Sequence, residues 1–118
     1  MKTTKAQFKY FTKQVFFWFR EWGLHNWRCD VIHSREDSEY TRATAAWDHE
    51  HKNCTISLNT DTDEAIKNLE LDRTALHETW EVILSKLRDM AETTYSHDAV
   101  DEAIHDVIRR VENVVLKG

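Results

Sequence analysis

Between Thr4 and Trp22 the apolar residues Phe8, Phe11, Val15, Phe19 and Trp22 recur at helical spacing, with Lys5, Lys9 and Lys13 on the other side. That period predicts an amphipathic helix, and Gly23 stands where a helix C-cap is expected. Phe16 and Trp18 widen the apolar stripe, which suits a helix lying across a sheet. The period then shortens to two. Trp27, Cys29, Val31 and His33 share one face, as do Ala43, Ala45 and Trp47, and again Cys54, Ile56 and Leu58. Strands are therefore predicted over 27–34, 40–49 and 53–59. The polar segment His49-Glu50-His51-Lys52 predicts a hairpin between the second and third, and residues 34–38 a turn after the first.

Residues 59–63 form a turn cluster, and 63–69 read as a short helix or an ordered loop. Helical spacing resumes at Asp72, a good N-cap residue, and runs to Thr93 with Leu76, Trp80, Ile83, Leu87 and Met90 as its buried stripe. A last helix starts near Asp98, with Asp101 favouring the positive helix end. It carries Val100, Ile104, Val107, Ile108, Val111 and Val115 inward. The order α-β-β-β-α-α without an internal repeat predicts an α+β fold: a three-stranded antiparallel sheet backed by helices, in one domain over 1–118.

Composition narrows the function classes. With no proline and 2 glycines, long regular elements are expected and a Gly-rich phosphate loop is not. The charge of −5 removes a generally basic surface for nucleic acid, and the lysines at 2, 5, 9 and 13 read as a solvated face. Phe16-Phe17-Trp18-Phe19 is followed at once by Arg20 and Glu21, so it reads as neither an export signal nor a membrane span. Cys29 and Cys54 are too few for a disulfide scaffold. They read as buried small hydrophobes and reduced thiols in a cytoplasmic protein.

The candidate chemistry lies in Ala75-Leu76-His77-Glu78-Thr79-Trp80-Glu81. It matches the zinc-protease pattern H-E-x-x-H with the second histidine replaced by Glu81. His77 and Glu81, four residues apart, stand on one helix face and can point at one ion. The final helix offers Glu102 and His105, also on one face. His77, Glu81 and His105 would supply two imidazoles and one carboxylate to Zn²⁺, with Glu78 as general base toward a water attacking a carbonyl. The bland reading is a surface His-x-x-x-Glu pair. His49 and His51 form an H-x-H pair that could bind zinc or copper, line a cleft, or tip a solvated hairpin.

Residues 53–59, Ala75-Leu76-His77-Glu78, Ile83-Leu84-Ser85-Lys86-Leu87 with Ala91, and 105–113 follow one another in an order that resembles the compact H-E-x-x-H metallopeptidase-like proteins of bacteriophages. More distantly the chain is similar to SprT-type minimal zincins. The resemblance implies a minimal zincin fold: helix, three-stranded sheet, motif helix, and a C-terminal helix bringing the last ligand. It implies His77 as first ligand and Glu78 as base, with the third ligand near His105 and Glu102 as its rival. Position 81 departs from the family pattern, and a carboxylate there makes the ion a poorer Lewis acid.

Two functions are therefore expected from the sequence. One is a phage metallopeptidase-like protein with a divalent-metal site and peptide hydrolysis. The other is a non-catalytic protein of the same fold that binds and inhibits a host protein, in anti-defence or host takeover, within the host bacterial cytoplasm. The implied partners are a peptide or a host protein. Trp18, Trp22 and Trp27 gather at one end, where an aromatic patch would make a homodimer as natural as a monomer.

Overall fold

A computed structural model describes residues 1–117 and shows an α+β fold of four helices and one three-stranded sheet. Helix α1 covers Lys5–Glu21. Thr4 caps it reciprocally: its hydroxyl accepts from the Gln7 backbone N–H while the Gln7 side chain accepts from the Thr4 N–H. Trp22 ends the helix, and Gly23 follows at φ 76°, the left-handed conformation its missing Cβ permits. The strands are β1 (Arg28–Ser34), β2 (Ala43–Asp48) and β3 (Asn53–Asn59). The β2–β3 hairpin turns through the expected polar segment, with Lys52 at φ 57°.

The sheet is mixed rather than antiparallel. Its order is β1-β3-β2, with β3 antiparallel to β2 and parallel to β1. The segment after β1 is therefore a connection that passes β3, not a hairpin turn. Burial explains the order: Cys54, Ile56, Ser57, Leu58 and Asn59 of β3 are all buried, whereas β1 and β2 alternate half-buried and exposed positions. The strand that cannot face water takes the centre. Phe11, Val15 and Phe19 of α1 pack with Cys54, Ile56 and Leu58, and with Leu71, Ala75 and Val82 of the next helix, in one core cluster.

That helix, α2, runs Asn68–Ile83, starting four residues before Asp72, with Lys67 as its N-cap. It also stops earlier than the periodicity predicts. Leu84 leaves the helical conformation at φ −90°, ψ 3°, and a separate helix α3 covers Ser85–Ala91. The break re-aims the downstream face, so Leu87 and Met90 are exposed and Arg88 is buried. Helix α4, His97–Val115, is capped by the Ser96 hydroxyl, which accepts from the Ala99 N–H. Val100, Ile104 and Ile108 form a second cluster against Trp80, Leu84 and Ala91, while Val107 lies on the exposed side. Among the described residues no helix is long and apolar enough to cross a membrane.

The connection from β1 to β2 is pinned from below by Asn59. Its fully buried amide donates to the Ser38 and Thr41 carbonyls and accepts from the Glu36 and Asp61 N–H groups. All the bonding capacity of that amide is used. Arg42, at the end of the segment, pairs with Glu70 of α2 at 2.7 Å. These ties place Tyr40, Thr41 and Arg42 along one rim of a cleft whose floor carries the motif residues.

Candidate metal centre

The cleft holds about 700 Å³ and lies between β2 and the segment before it on one side, and α2, α3 and α4 on the other. Helix α2 presents His77 and Glu81 one turn apart to this space. The apolar seam of α4 against Trp80 and Leu84 fixes the register of that helix, so His105, next to Ile104, arrives above them. One ligand atom from each of His77, Glu81 and His105 lies within 4.8 Å of the other two. The imidazole rings are 5.3 Å apart, and His105 Nε2 is 3.5 Å from Glu81 Oε1.

Each histidine also has a carboxylate behind it. His77 Nδ1 hydrogen-bonds to Glu112 Oε2 at 3.2 Å, and His105 Nδ1 lies 3.3 Å from Asp101 Oδ2. Glu112 is buried and also meets Arg73 at 3.4 Å. A carboxylate on Nδ1 fixes the tautomer, orients the ring and leaves Nε2 free toward the cleft, as is general for histidines that bind metals. Burial works against a charged His77. The Glu112 hydrogen bond and the charges of Glu78, Glu112 and Glu81 outweigh it, and the net shift is upward.

Glu78 is 7% exposed and lines the same cleft. Burial pushes its carboxyl up to about 7; neighbouring His77 opposes the shift, while Glu81, Glu36 and Glu112 add to it. A carboxyl poised there can take a proton at neutral pH.

Arg88 is the unexpected member. It is buried, and its guanidinium reaches Glu81 at 3.3 Å, Asp101 at 3.0 Å and Glu92 at 3.6 Å. Its charged group also lies 6.0 Å from the Trp47 ring. It holds together two of the carboxylates that shape the centre. Burial alone would lower its affinity for a proton, but Glu81, Asp101 and Glu92 reverse the shift and keep it charged.

The remaining candidates lie elsewhere. Glu102 is exposed and belongs to a shallow depression with Asp106 and Arg109, away from the cleft. His49 turns to Asp89 of α3 at 2.9 Å, whereas His51 bonds to Asp48 at 2.8 Å in the hairpin tip. The H-x-H pair therefore does not converge. Asp48, Glu50 and His51 do approach one another, all three on the exposed hairpin. Glu112, Asp101 and Arg88 escaped the sequence reading because their roles depend on the crossing of α4 and on the helix break at Leu84.

The donor set fits a divalent ion. Two imidazole nitrogens and a carboxylate are the protein ligands of many catalytic zinc sites, which keep one position open. Zinc–ligand bonds of about 2.0–2.1 Å put tetrahedral donors roughly 3.3 Å apart, a contraction that small side-chain rotations can supply from the spacing seen. Comparison with protein-family models, curated proteins and solved structures finds no match to this chain.

Proposed function

We propose that this protein binds one divalent ion, with zinc best suited, through His77, Glu81 and His105, and hydrolyses polypeptide backbone in the cleft. The observation that carries the reading is the convergence of those three side chains from two helices, each histidine backed by its own carboxylate. A bound ion supplies Lewis acidity. Glu78, inside the cleft and pushed up to about 7, takes the proton of the attacking water and returns it to the leaving amine. Strand β2 is a sheet edge and forms one cleft wall through Ala43, Thr44, Ala45 and Trp47. An extended peptide can add to such an edge by main-chain hydrogen bonds.

Hydrolysis of an unstructured fluorogenic polypeptide by zinc-loaded protein tests this directly. Glu78→Gln should keep the ion yet lose activity by about 10²- to 10⁴-fold, the usual contribution of a positioned acid–base group. Equal activity in wild type and Glu78→Gln contradicts the assignment.

One observation favours a second reading, a non-catalytic zincin-like protein that binds a host protein. Glu81 is already paired with a buried arginine, so the charge at position 81 has a partner without an ion. His77→Ala separates the two readings. It abolishes metal uptake and hydrolysis under the first, and leaves capture of a stoichiometric partner unchanged under the second.

A further inference from the structure

Cys29 and Cys54, far apart in sequence, are direct partners in the parallel β1–β3 ladder. Residues paired this way project from the same face of the sheet, so the two thiols stand side by side across the ladder. Neighbouring strands lie about 4.8 Å apart, inside the roughly 4.4–6.8 Å range of Cα separations that a disulfide spans. Cys29 is half-buried on an edge strand, whereas Cys54 is buried on the central one. Cys29 is thus the less covered of the two, and Cys54 lies beside it across the ladder.

We propose that Cys29 and Cys54 form a redox-reactive dithiol that closes reversibly into a cross-strand disulfide by exchange with a low-molecular-weight disulfide. The exchange balances in two steps. The Cys29 thiolate attacks one sulfur of the incoming disulfide, forming a mixed disulfide and expelling the first small thiolate. The Cys54 thiolate then attacks the Cys29 sulfur, forming the intramolecular bond and expelling the second. Two protein sulfurs are oxidised and one small-molecule disulfide is reduced to two thiols, which carry away both protons. The neighbouring Cys29 thiol holds Cys54 below its ordinary value, while Cys54 and burial make Cys29 hold its proton more tightly. Attack at Cys29 therefore draws on the minor fraction of molecules in which that sulfur carries the charge. The site is independent of the metal centre, which uses neither strand position.

The test equilibrates the full chain in glutathione buffers of increasing oxidised fraction, quenches with acid, alkylates free thiols and measures the intact mass. The expected result is a monomer lighter by two hydrogens and closed to alkylation at both cysteines, restored by dithiothreitol. Cys54→Ala should instead collect a glutathione adduct at Cys29, and Cys29→Ala should stay unmodified. Two alkylated thiols at every ratio overturn the proposal, as does a glutathione adduct or intermolecular dimer that never proceeds to the internal bond. The wild-type series decides by itself should either variant fail to fold.

Discussion

Glu78 carries the most direct residue-scale consequence. Its carboxyl rises from an ordinary 4.5 to about 7 in the folded protein, so the native state holds that proton more tightly than the unfolded chain. Its stabilising contribution is complete below about pH 4.5 and is lost as pH rises toward 7, on the order of 3 kcal/mol in all at 1.36 kcal/mol per pKa unit. Urea unfolding of metal-free protein at pH 5 and pH 8 should show this fall, and Glu78→Gln should flatten most of it. The opposite trend in wild type would contradict the assignment. Arg88 supplies a second test. Replacing one partner of a buried ion pair typically costs about 3–5 kcal/mol, and Arg88→Met leaves Glu81, Glu92 and Asp101 facing one another. Metal-free Arg88→Met should unfold at lower urea, yet bind zinc more tightly, because Glu81 no longer has a competing cation. At this scale the motif was legible: a His and a Glu four apart on a helix share a face whatever the tertiary fold. The carboxylates behind the histidines were not, since Asp101 and Glu112 matter only once α4 lies across α2.

Among the elements, strand existence and facing followed from period-two alternation, and β3 begins and ends where that pattern does. Strand order did not. Alternation states which side of a strand is wet but not which neighbour it pairs with, and three short strands with a hairpin between the last two fit both a meander and the observed mixed sheet. The unbroken burial from Ile56 to Asn59 is the physical reason β3 is central. The α2–α3 break was hidden for a similar reason. No glycine or proline marks Leu84, and the Ser85 hydroxyl bonds to the Val82 carbonyl instead of advertising a cap. Asn59 offers an element-scale prediction. Asn59→Ala removes three hydrogen bonds to the segment before β2 and one to Asp61, leaving backbone groups unmatched, at about 1–3 kcal/mol for a buried one. The variant should lose a few kcal/mol in urea unfolding. Hydrogen exchange should accelerate over residues 36–42, with α4 unaffected. Exchange confined to α4 would show that the amide does not hold this rim.

For the whole molecule, two packed clusters support the cleft: the core of α1, α2 and the sheet, and the smaller seam of α4 against Trp80, Leu84 and Ala91. The proposed ligands come from α2 and α4, so an ion would bridge these helices and stabilise the native state by mass action. At free zinc about 100-fold above its dissociation constant the gain is about 2.7 kcal/mol. The general layout of helix, sheet and two further helical segments was readable from the chain, and so was the pairing of His77 with Glu81. The reach of His105 rather than Glu102 depended on which side of α4 packs, and the apolar run Val100, Ile104 and Ile108 decides it by placing Glu102 outward. The central claim is tested most directly by calorimetric titration of zinc into untagged, metal-free protein, beside His77→Ala and His105→Ala. One ion per chain in wild type, lost in both variants, is the predicted result. No binding, or binding that both variants retain, would contradict a centre built from these helices.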